Sequence, residues 1–113
     1  MELLPGKTKG VFTLREIEIQ NQIRLALSKY GVVIRQNTGN FLTADGRWVH
    51  CGVKGLSDLL FIGDGKVAFL EVKTPSGKIT SEQQKFLDQM QKYHHCAGIV
   101  RSVGDALKII KGE

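Results

Sequence analysis

Leu56-Ser57-Asp58-Leu59-Leu60-Phe61-Ile62-Gly63-Asp64-Gly65-Lys66-Val67-Ala68-Phe69-Leu70-Glu71-Val72-Lys73 sets two apolar runs on either side of an Asp-Gly dipeptide. Asp-Gly between apolar runs is a strong hairpin signal, because both loop positions need positive φ. With Asp64 and Gly65 as the loop, Gly63 pairs with Lys66, and the same register carried outward sets Asp58 opposite Glu71, with Cβ atoms ~4.5–5.5 Å apart. Lys73, two residues past Glu71, projects from the same face. Leu59, Phe61, Ala68, Leu70 and Val72 are apolar on one face, and Leu60, Ile62, Val67 and Phe69 on the other. Both faces then need cover, which predicts central strands in a mixed sheet flanked by helices.

Outward from the hairpin, Thr13 to Tyr30 places Ile19, Ile23, Ala26, Leu27 and Tyr30 at helical spacing, with Thr13 and Glu16 in capping-box positions. Gly31 ends this helix, and Val32 to Arg35 reads as a short strand. Gln36 to Arg47 is polar, contains Asn37, Gly39 and Gly46, and reads as a loop; Trp48 to Cys51 returns as a short extended piece. Beyond Pro75-Ser76-Gly77, Thr80 to His94 predicts a second helix with Phe86, Leu87, Met90 and Tyr93 as a core stripe and Thr80 and Gln83 as a capping box. Ala97 to Arg101 predicts a strand, and Asp105 to Ile110 a short closing helix capped by Ser102. The order is α-β-(β)-β-β-α-β-α, an α/β fold.

The 113 residues, 42% hydrophobic and 24% charged, suit a single domain over 1–113 with 1–12 as a flexible lead. Thirteen glycines without a three-residue period exclude collagen-like classes. No apolar run approaches the ~20 residues that span a bilayer, and Met1 to Gly10 lacks the apolar stretch of a secretory signal, so the expectation is a soluble, cytoplasmic protein with no membrane partner. Cys51 and Cys96 form no CxxC pair, in keeping with a reducing compartment. The net charge of +5 favours polyanionic partners.

Like charges directly opposite on a sheet destabilise it unless a cation lies between them. Hard oxygen ligands at the spacing of Asp58 and Glu71 suit Mg²⁺ or Mn²⁺, and Lys73 adds a positive charge on the same face. The same three residues also fit an ordinary surface ion-pair cluster at a strand end. Asp58 followed by Glu71-Val72-Lys73 resembles the D…(D/E)XK pattern of the PD-(D/E)XK nuclease superfamily. Together with Gly55-Leu56-Ser57-Asp58, Glu71 to Lys78 and Ser81-Glu82-Gln83-Gln84-Lys85-Phe86-Leu87, it resembles the motifs of the virus-type replication-repair nuclease (VRR-NUC) family from about Glu16 to Val103.

The resemblance implies a restriction-endonuclease-like αβββαβ core and a metal-dependent DNA endonuclease, acting as a homodimer on branched DNA such as four-way junctions. It makes Asp58, Glu71 and the Val72 carbonyl metal ligands, Lys73 the catalytic lysine and Gln83 a further site residue. It also implies a first-helix acid, for which Glu16 and Glu18 compete. Glu16 is preferred because positions 16, 20, 23 and 27 trace one helix face, although Glu16 also fits a purely capping role. Ser57 stands where the superfamily pattern has Pro. A non-catalytic nucleic-acid-binding module and an interaction protein with a structural Asp-Glu-Lys cluster are the alternatives. Zinc binding by His50, Cys51, His94, His95 and Cys96 is disfavoured by the adjacency of these residues. Trp48 is read as a packing residue in preference to one that stacks on a base, and Lys7, Lys9, Arg35, Arg47, Lys54 and Lys78 as candidate phosphate contacts.

Overall fold

A computed structural model describes residues 15–36, 39–51 and 55–112 of the chain. Three helices, α1 (Glu16–Leu27), α2 (Ser81–Lys92) and α3 (Val103–Lys111), accompany strands β1 (Gly31–Arg35), β2 (Gly39–Leu42), β3 (Trp48–Cys51), β4 (Leu59–Gly63), β5 (Lys66–Val72) and β6 (Cys96–Val100). The main sheet is mixed, ordered β1-β4-β5-β6, while β2 and β3 form a separate two-stranded sheet. β4 and β5 are antiparallel with Gly63 opposite Lys66 and Leu59 opposite Leu70, the register set by an Asp64-Gly65 loop in which Gly65 takes φ +68° while Asp64, expected there too, does not, so one positive-φ position and not two makes this turn. β6 joins β5 in parallel, a crossing that α2 makes possible.

One face of the sheet carries the core. Leu59, Phe61, Ala68, Leu70 and Val72 meet Ile19, Ile23 and Leu27 of α1 and Ala106 and Ile110 of α3, all buried. Burial at 19, 23 and 27 follows the helical period, which is why α1 forms although Leu25 points to solvent. The other face is covered at β5 and β6 by α2, whose Phe86 ring lies edge-on to Phe69 at 5.5 Å. Toward β1 it is open: Val32, Ile34 and Ile62 are 60%, 43% and 42% exposed. The expectation of cover on both faces therefore fails at the β1 edge, because one helix after β5 spans only the β5–β6 half.

Other departures are local. The stretch read as a loop contains β2, hidden in the sequence because Gly39 and Asn40 are poor strand formers. α1 starts later than Thr13, and its reach-back contact is made by Glu18, whose Oε1 accepts from the Arg15 N–H at 2.7 Å, so Glu16 is not the capping acid. Thr13 and the lead of 1–12 lie outside the described residues. Tyr30 and Tyr93 fall in the turns after α1 and α2 and are about half exposed rather than core, His94 ending α2 with φ +70°. Trp48 is 71% exposed and does not pack. α2 and α3 open as expected at Thr80 and Ser102, whose hydroxyls accept from the N–H groups of Gln83 and Asp105. Among the described residues no helix is long and apolar enough to cross a membrane.

Candidate active site

Asp58 sits just before β4 at the meeting of three strands. Its carbonyl accepts from the Gln36 N–H at the end of β1, 2.8 Å, and its Oδ2 accepts from the Val72 N–H of β5, also 2.8 Å. The ladder itself ends at Leu59 and Leu70, so Asp58 is not a ladder partner of Glu71; its carboxylate folds back onto the end of β5 instead. The chain before it is sterically fixed. Gly55 has φ +83° and a Cβ there would lie 2.6 Å from the Glu82 carbonyl oxygen, and Ser57 is fully buried with its hydroxyl donating to the Leu59 carbonyl. Ser57 thus makes a bond that a proline at this position has no group to make.

Glu71, on β5 opposite Ile99 of β6, is only 1% exposed. Its Oε2 accepts from Gln83 Nε2 at 2.9 Å and lies 3.8 Å from Lys73 Nζ. The amide of Gln83 is oriented by its own helix: Oε1 accepts from the Thr80 N–H at 2.9 Å, which leaves Nε2 to donate to Glu71. A glutamate at 83 would cap the helix equally well but present a second carboxylate to Glu71. The pKa of Glu71 is pushed up to about 8, first by burial and then by Asp58, with Lys73 pulling the other way and Glu16 adding a smaller push.

Glu16 belongs to the same electrostatic cluster. Its pKa is raised by partial burial and by Asp58 and lowered by Lys73, whereas Glu18 is spent on the helix cap. The structure thus brings Glu16, Asp58, Glu71, Lys73 and Gln83 to one end of the main sheet. Lys73 follows the last residue of β5, and its N–H donates to Val100 at 3.0 Å, continuing the parallel ladder. The residue that sequence reading missed is Arg101. Its Nη1 donates to the carbonyls of Thr74 at 2.6 Å and Gly77 at 2.8 Å, tying the loop after Lys73 to the end of β6. The only hint was an arginine directly after an apolar strand, and carbonyl acceptors carry no sequence signature.

Among the described residues, the buried side-chain polar atoms without a hydrogen-bond partner are Gln20 Oε1, Gln36 Nε2 and Glu71 Oε1. Glu71 is the centre of the cluster, Gln36 is bonded through its backbone to Asp58, and Gln20 is one turn along α1 from Glu16. A buried carboxylate oxygen without a donor is costly; without metal the raised pKa keeps a proton there, shared with Asp58, and a hard cation would take that proton's place. Among the described residues no group of three Asp, Glu, His or Cys side chains is placed to hold a metal. An ion held here would take Asp58 and Glu71, completed by backbone and water oxygens, a donor set that would suit Mg²⁺. Of the basic candidates, Arg35 is exposed at the end of β1 and Lys78 beyond the Arg101-held loop, while Arg47 is on the β2–β3 turn; Lys7, Lys9 and Lys54 lie outside the described residues, as do the side chains of His50 and Cys51. No model of a known protein family and no curated protein matches this chain.

Proposed function

We propose that the chain is a divalent-metal-dependent DNA endonuclease of the VRR-NUC kind, hydrolysing phosphodiester bonds with a preference for branched DNA such as four-way junctions. The observation that carries this is Glu71: a buried carboxyl with one oxygen that accepts from no donor, close enough to Asp58 for that charge to raise its pKa, and flanked by a lysine and a fixed amide. A surface ion-pair cluster would sit in solvent, whereas the Glu71 and Lys73 side chains are 2% and 13% exposed. The finer reading of the fold, in which α1, β1, β4, β5, α2 and β6 form a restriction-endonuclease-like core, is part of the same proposal.

Asp58 and Glu71 would hold Mg²⁺ or Mn²⁺, with the Val72 carbonyl as a further ligand; when bound, the ion lowers the pKa of water and offsets charge on a non-bridging phosphate oxygen. Gln83 fixes Glu71 by holding Oε2. Lys73, anchored by its backbone to β6, carries its ammonium beside Glu71, where it orients the attacking water and steadies negative charge on the phosphate. Glu16, with its pKa raised, is a readier proton acceptor than an ordinary surface carboxylate. The proposal includes a homodimer.

The test is incubation of the protein with linear, flapped and four-way DNA in Mg²⁺, Mn²⁺ or chelator. Metal-dependent cleavage, strongest on branched substrates, is expected; DNA binding that persists in chelator without cleavage under any metal would leave a binding module instead.

A further inference from the structure

The β2–β3 hairpin arises beside the candidate site. The chain leaves β1 at Gln36, whose N–H is bonded to Asp58, and returns at Gly55, packed against Glu82. Between these points it forms a separate two-stranded arm. At the outer end of the arm Leu42 lies directly opposite Trp48, and the two are 58% and 71% exposed. Directly opposed residues share a face, so the pair forms one apolar blade. The turn beyond it is tightly braced: the Thr43 N–H donates to the Arg47 carbonyl at 2.7 Å, the Arg47 N–H to Thr43 Oγ1 at 3.0 Å, and the Arg47 guanidinium to Asp45 at 3.1 Å. The outer end of the arm is held in shape by its own turn.

We propose that this arm is the part of the nuclease that senses DNA structure, with Trp48 stacking on an unpaired or unstacked base and Leu42 supporting it as a wedge. The inference rests on the proposed function. Three observations favour a nucleobase as occupant. The arm is rooted at the end of the sheet that holds Asp58 and Glu71, so DNA at the carboxylates runs past its base. The three strand steps from Gly39/Cys51 to Leu42/Trp48 set the blade ~10 Å further out, about three base-pair rises. The chain carries a net charge of +5, with Arg47 next to the tryptophan. A second copy of the chain is a poor occupant, because two side chains of at most ~250 Å² each fall well short of the ~800 Å² per partner of a stable interface. Any base offers a π face, so the contact discriminates unpaired from paired DNA and not one sequence from another.

Trp48 is the single tryptophan of the chain, so its fluorescence reports this site alone. The protein is titrated in chelator with a four-way junction, a flap and a blunt duplex of equal length, and binding is followed in parallel by anisotropy of labelled DNA. Quenching by the junction and flap but not by the duplex is expected. Trp48→Ala should weaken binding to branched DNA about tenfold and leave duplex binding unchanged, while Trp48→Phe restores most of the loss. Circular dichroism of each variant checks the fold. Branched DNA that binds without quenching, or equal losses on duplex and junction, would overturn the inference. So would a blue shift of Trp48 that follows protein concentration without DNA, which would assign the blade to a second copy. Selective quenching with no metal-dependent cleavage would leave the stacking arm standing and the nuclease reading lost; absence of all DNA binding would remove both.

Discussion

At Glu71 the sequence places a carboxyl where burial and Asp58 both oppose its charge, and its pKa of about 8 lies far above the ordinary 4.5. The folded state therefore keeps a proton that the unfolded chain has released, so this residue's contribution to stability falls as pH rises from near 4.5 to about 8 and is flat above. In metal-free buffer the melting temperature of Glu71→Gln, which keeps the shape without the titration, should exceed that of wild type by a margin that widens between pH 5 and pH 8. A margin independent of pH would mean that Glu71 is ionised throughout. Asp58→Asn can keep the bond from the Val72 N–H through its amide oxygen and turn an N–H toward Glu71, so without metal it should melt at or above wild type. It should also lose most of the stabilisation that Mn²⁺ gives wild type by binding only the native state. Equal Mn²⁺ shifts in the two proteins would remove Asp58 from the site. Lys73→Ala should lower cleavage by roughly 10²–10³-fold with DNA affinity in chelator nearly unchanged, the loss typical of one preorganised charge-stabilising group. Single-turnover cleavage beside a binding isotherm separates the two effects.

Among the elements, the β4–β5 hairpin was the most legible, because one Asp-Gly dipeptide and two apolar runs define loop, register and the neighbourhood of Asp58 and Glu71 together. The helix caps at Thr80 and Ser102 were legible for the same reason, since hydroxyl caps act within a few residues. What escaped depends on distant chain. Trp48 looks like a core residue until its strand is seen to pair with β2 in a separate sheet, and Arg101 has no local reason to clamp the 74–77 loop. Gly31 is of this kind too: a Cβ there would lie 2.4 Å from the Ile62 carbonyl oxygen, on the strand that β1 must pair with. Gly31→Ala should cost on the order of 1–3 kcal/mol by denaturant unfolding, as overpacking against fixed backbone does. Gly65→Ala, at φ +68° but with open space around its Cβ, should cost only about 1 kcal/mol. Equal costs at the two glycines would show that the β1–β4 approach is looser than this geometry.

For the whole molecule, the proposed nuclease would divide the labour of binding DNA between charge and shape. Neutralising phosphates releases counterions, so affinity for any DNA should fall linearly on a log–log plot against salt, with a slope set by the number of phosphates contacted. Arg35 is exposed at the β1 end, one residue before the Gln36 that bonds Asp58, and Lys78 is exposed just beyond the loop that Arg101 holds after Lys73. Arg35→Gln and Lys78→Gln should each weaken junction and duplex binding alike and reduce the salt slope by about one. Stacking, the role proposed for the Trp48 arm, neutralises no phosphate, so Trp48→Ala should leave the slope where it is while it lowers affinity for branched DNA. Isotherms for the three variants at several salt concentrations read both quantities at once. An unchanged slope in Arg35→Gln and Lys78→Gln would move the phosphate path away from the sheet end that holds Asp58 and Glu71. Such a result would also separate bound DNA from the carboxylates that are proposed to cut it.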